Sequence, residues 1–90
     1  MISTASAPLH PGESLKEDFL DPLGISLEEI AKRTALPQAY LRDLIAGKVD
    51  CSIDAAVRLA NELETSPEFW TSLQVRYTMW SMQAPQLVAN

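Results

Sequence analysis

Catalytic chemistry in this chain would have to come from one histidine, one cysteine and scattered carboxylates. His10 stands in an HPG turn and Cys51 lies far along the chain, so the two have no metal-ligand spacing. The neighbouring pairs Glu17–Asp18 and Glu28–Glu29 fall on exposed helix faces, where solvation accounts for them without acid–base work. A nucleophile elbow and a glycine-rich phosphate loop are both missing. Neither an enzyme nor a cofactor is expected. The residues equipped for recognition lie in QAYLRD: Gln38 can pair with adenine, Arg42 can donate to guanine or phosphate, and Asp43 can accept from cytosine. With Ala39 and Tyr40 they also suit plain solvated surface, so the elements that carry them must decide.

Those elements are two short amphipathic helices between Ile25 and Val49. Ser26 is placed to cap the first, with Glu29 reaching back in a capping box, and Leu27, Ile30 and Ala31 form one apolar stripe. The pattern lapses at Arg33 and Thr34. Pro37 restarts it at the head of a second helix striped by Leu41, Leu44 and Ile45, and Gly47 suits a left-handed cap beside Lys48. Two helices across so short a turn make a helix-turn-helix, or else an ordinary helical hairpin. Ala31 is small enough to let the second helix cross closely.

Charge helps to separate these readings. The chain carries a net −5, but across residues 31–49 Lys32, Arg33, Arg42 and Lys48 stand against Asp43 alone, a local balance of +3. A basic patch on an acidic body is compatible with DNA at one face and a basic protein at another, and implies weak DNA binding by a single copy.

Ninety residues, 47% of them apolar, allow one domain with a modest core. No stretch approaches a membrane span, and MISTASAPLH lacks the basic and apolar regions of a signal peptide, so a cytoplasmic location is expected. Cys51 is expected to be a half-buried, unreactive thiol. Residues 1–8 read as a flexible segment, residues 9–82 as the folded domain and residues 83–90 as a loose tail. Within the domain, Leu15, Phe19 and Leu20 stripe a helix that starts at Pro11 and Gly12 and ends at Pro22 and Gly24. Ser52 caps a fourth helix whose buried face is expected to be Ile53, Ala56, Val57, Ala60 and Leu63, with Arg58 and Glu62 paired outside. Ser66 and Pro67 open a fifth, aromatic helix that Pro85 should stop. Its stripe of Trp70, Leu73, Tyr77 and Trp80 is expected to form part of a dimer seam, the competing reading being that all of it packs inward. The expected fold is all-α, five helices with a central helix-turn-helix.

Four stretches, HPGESLKEDFLDPLG, the helix-turn-helix, IDAAVRLANELETSPEFWTSLQ and the aromatic helix, resemble the HigA-type (VapI-type) antitoxins of the Xre/Cro superfamily over roughly Leu9 to Tyr77. The resemblance implies a lambda-repressor-like DNA-binding domain and a homodimer on a palindromic operator of double-stranded DNA. It also implies a basic, RelE-like toxin partner that cleaves messenger RNA. Carried onto this chain, the DNA-reading positions are Pro37, Gln38, Tyr40 and Arg42, with backbone contacts near Ser26 and Lys48. Three differences lower the expected operator affinity: Ala35 where relatives carry Gly, Pro37 where they carry Ser or Thr, and Tyr40 and Asp43 where they are richer in Arg. Ala35 at positive φ would cost about 1 kcal/mol. The implied function is antitoxin and autorepressor; the alternatives are a stand-alone Xre-type regulator, or an interaction protein whose helix-turn-helix is vestigial for DNA.

Overall fold

His10 caps the first helix of the described residues. Its Nδ1 accepts from the Gly12 N–H at 3.0 Å while Glu13 Oε1 accepts from the His10 N–H at 3.3 Å, a reciprocal cap on the first helix. The structure, a computed structural model, describes the backbone of residues 7–89 and the side chains of residues 7–83. Most of the N-terminal segment expected to be flexible therefore lies outside the described residues.

Helix α1 spans residues 11–23 and is α-helical over Pro11–Ser14, π-helical over Leu15–Leu20 and α-helical again over Asp21–Leu23. It is followed by α2 (Leu27–Thr34), α3 (Gln38–Ile45), α4 (Ile53–Leu63) and α5 (Pro67–Ala89). These are the five helices the spacing predicts, with no strand among the described residues. Each of the first four ends on a left-handed residue: Gly24, Ala35, Gly47 and Glu64. At Gly47 (φ 76°) the Lys48 N–H donates to the Asp43 carbonyl and the Gly47 N–H to that of Leu44, which closes α3 in a Schellman motif. Ala35 takes φ 62° with a β-carbon attached.

The core gathers Leu15 and Leu20 of α1, Ile30 of α2, Leu41 and Leu44 of α3, Ala55, Ala56, Leu59 and Ala60 of α4, and Trp70 of α5. Helix α1 packs on α3, α2 on α3 and α4, and α4 on α5. Gly12 is what lets α1 approach so near, since a Cβ there would lie 1.7 Å from the Leu44 carbonyl oxygen.

Several expectations are corrected. Ile53 is 75% exposed and Val57 39% exposed, because α4 presents Ala55, Ala56, Leu59 and Ala60 inward. Small side chains make room for the bulk that Trp70 brings to this interface. Arg58 pairs with Asp54 at 3.1 Å and donates to the Thr34 carbonyl at 3.1 Å, rather than pairing with Glu62. Ser26 caps α2 by accepting from the Glu29 N–H at 3.0 Å, but the Glu29 carboxylate turns to Arg33, so the capping box is half formed. Thr34 is no lapse in the pattern: it is buried, donating to the Ile30 carbonyl and accepting from the Leu36 N–H. Helix α5 runs past Pro85 to Ala89 instead of stopping there. A proline in that position leaves one carbonyl of the preceding turn without its N–H, a cost an otherwise continuous helix absorbs.

Candidate nucleic-acid interface

Helix α3 is seated by Leu41 and Leu44, both fully buried, against α1 and α2. That wedge fixes which side remains outside: Pro37, Gln38, Ala39 and Arg42 are exposed and Asp43 is half-buried. Gln38 and Arg42 are one turn apart and share a face. Pro37 is the N-cap and supplies no side-chain hydrogen bond, so the first N–H groups of α3 have no partner from it. Ser26 is exposed at the start of α2, and Lys48 is exposed in the turn after α3.

Tyr40 is placed differently from the sequence-based expectation. Its hydroxyl donates to the Asp50 carbonyl at 2.7 Å and accepts from the Ser52 N–H at 3.1 Å. The ring is half-buried against the core, so this residue anchors the loop behind α3 and its hydroxyl is already committed within the chain. From the other side Gln74 of α5 accepts from the Cys51 N–H at 2.7 Å and donates to Asp50 Oδ1 at 3.2 Å. The α3–α4 loop is thus gripped by both helices. Arg58 does the same for the turn within the motif, tying α4 to the end of α2. The positioning roles of Gln74, Arg58 and Thr34 have no periodic signal in the sequence, since each depends on a neighbour brought close by the fold.

Three of the four exposed cations without a carboxylate partner among the described residues lie in the helix-turn-helix; the fourth is Arg76 on α5. Among the described residues, Lys16, Arg33 and Arg58 have carboxylate partners, whereas Lys32, Arg42 and Lys48 have none. The unpaired cations of the helix-turn-helix remain available to an external anion, and Lys32 belongs beside the positions named from sequence. Cys51 is 5% exposed, and burial pushes its thiol up to about 11. It is structural rather than reactive. No group of three potential metal ligands occurs among the described residues, and no helix there is long and apolar enough to cross a membrane.

The expected seam on α5 divides. Trp70 is fully buried, with its Nε1 donating to Thr65 Oγ1 at 2.8 Å, which removes it from any seam. Leu73, Tyr77 and Trp80 are half-buried; Tyr77 meets His10 edge-on at 4.7 Å and Trp80 at 5.6 Å. On the opposite side of the helix Val75, Met79 and Met82 are 55%, 55% and 70% exposed.

Residues 15–70 match the helix-turn-helix family HTH_3. Antitoxin HigA-1 of Vibrio cholerae is 34% identical over 80 residues, covering 89% of this chain and 75% of that protein. Virulence-associated protein A' of Dichelobacter nodosus is 41% identical over 73 residues, covering 80% and 63% respectively. Among solved structures, the Pseudomonas aeruginosa antitoxin HigA with the higBA promoter superposes with a TM-score of 0.83 at 32% identity, covering 87% of this chain and 85% of that one. The matched segment holds both helices of the motif and the packing that seats them, and the chain belongs to the helix-turn-helix family, within it to the HigA-type antitoxins.

Proposed function

We propose that this chain is a homodimeric antitoxin that represses its own operon by binding a palindromic operator and neutralises a basic, RelE-like toxin that cleaves messenger RNA. The observation that carries the DNA-binding part is the exposed ridge of Gln38 and Arg42 on a rigidly seated α3, in a motif that also exposes the unpaired Lys32 and Lys48. Its support is the likeness to an antitoxin solved with promoter DNA. Gln38 and Arg42 read base edges with Pro37 at the head of the reading helix, Asp43 accepts from a cytosine, and Ser26 and Lys48 lie along the phosphates. Two copies joined through α5, by a seam that includes Leu73, Tyr77 and Trp80, set two ridges about one helical turn apart. Few phosphates are neutralised per copy, so dimerisation is what makes the affinity useful.

Titration against the duplex upstream of the gene tests this reading. Log affinity should fall steeply with log salt and be lost in the Arg42→Ala, Lys48→Ala double variant. Indifference to that duplex at low salt would leave an interaction protein without operator binding.

A further inference from the structure

A second surface lies away from α3. The last turn of α1, the end of α2 and the end of α4 form a groove of about 290 Å3 lined by Leu23, Ile25, Arg33, Leu63, Glu62 and Glu64. Its apolar floor is Leu23, Ile25 and Leu63, with Leu23 at the end of the helix whose middle turns are π-helical. Wide turns put residues five apart on one side, so Leu15 and Leu20 are both buried. Leu23, in the α-helical turn that ends α1, is 62% exposed beside the half-buried Ile25.

The rim is acidic. Glu62 and Glu64 have no ion pair or side-chain hydrogen bond among the described residues, and the one cation there, Arg33, is already held by Glu29 at 3.0 Å. A nucleic acid would be repelled by these carboxylates. A second copy is assigned to α5, in a seam that uses none of the residues lining this groove.

We propose that this groove is a docking surface for a basic protein partner, which inserts an apolar side chain between Leu23, Ile25 and Leu63 while flanking Lys or Arg residues meet Glu62 and Glu64. The proposal rests on the toxin-neutralising reading and names the surface that performs it. None of the lining residues belongs to α3 or to the Lys48 turn, although Ile25 adjoins Ser26 and Arg33 adjoins Lys32, so the groove borders the DNA-facing positions without including them.

The test co-expresses the full chain with the product of any short basic reading frame adjoining its gene and measures the affinity of the pair, with Leu23→Glu and with the Glu62→Gln, Glu64→Gln double variant. Each variant should bind that protein about tenfold more weakly or worse, while binding the upstream duplex as the parent does. The duplex arm shows that the variants are folded; should Leu23→Glu fail it, the double variant carries the result. Unchanged partner affinity in a folded variant overturns the surface and leaves neutralisation standing. If the parent chain binds no such protein, the neutralising reading falls and the surface with it.

Discussion

The Cβ that Gly12 lacks would sit 1.7 Å from the carbonyl oxygen of Leu44, so the first helix touches the backbone of the third without an intervening side chain. No side-chain adjustment can relieve such an overlap, because the neighbour is main chain. Gly12→Ala is expected to lose about 3 kcal/mol or more, or to fail to fold, as chemical denaturation would show. A variant of parental stability would mean that α1 is not docked this closely.

Tyr40→Phe separates anchoring from reading. Removing the hydroxyl leaves the Asp50 carbonyl and Ser52 N–H without their partner, at a cost of about 1–2 kcal/mol in thermal unfolding. Operator affinity, measured well below the melting temperature, should stay close to parental. A large affinity loss with unchanged stability would return Tyr40 to the reading face.

Ala35→Gly is expected to stabilise the chain by about 0.5–1 kcal/mol, since a left-handed residue without a β-carbon relieves the strain at φ 62°. Fewer kilocalories than the strain itself are recovered because the glycine also loosens the unfolded chain. Lower stability in this variant would show that the Ala35 methyl contributes packing that outweighs its backbone cost.

The Cys51 thiol makes stability fall at alkaline pH. Its value is raised by burial from 9.0 to about 11, so the folded state favours the protonated form. The contribution is complete below pH 9 and is lost as pH rises towards 11, by about 1 kcal/mol once solvent near the thiol is allowed for. Urea midpoints across that range should drop in the parent and drop less in Cys51→Ala.

On α5, Trp80→Ala or Leu73→Ala should shift the proposed homodimer towards monomer in sedimentation at micromolar concentration. Trp70→Ala should instead unfold the domain, by about 3–5 kcal/mol, because that ring fills the core. If Val75→Asp separates the copies and Trp80→Ala does not, the seam lies on the opposite side of the helix.

The sequence alone determined the helix count, the caps at Ser26, Ser52 and Gly47, and the buried wedge of Ile30, Leu41 and Leu44, because helix starts, stops and apolar stripes are local properties. The exposed Gln38 and Arg42 follow from that wedge by geometry. Only the tertiary structure decided how α4 is turned, with Ile53 outside and Ala55 inside, that Tyr40 faces Ser52 and Asp50, and that Arg58 reaches Thr34. It also decided that Leu15 and Leu20, five apart on π-helical turns, are both buried while Leu23 is left in water. Each of these depends on which surface a neighbouring helix offers, and two stripes of similar hydrophobicity on one helix cannot be ranked until the partner's shape is known.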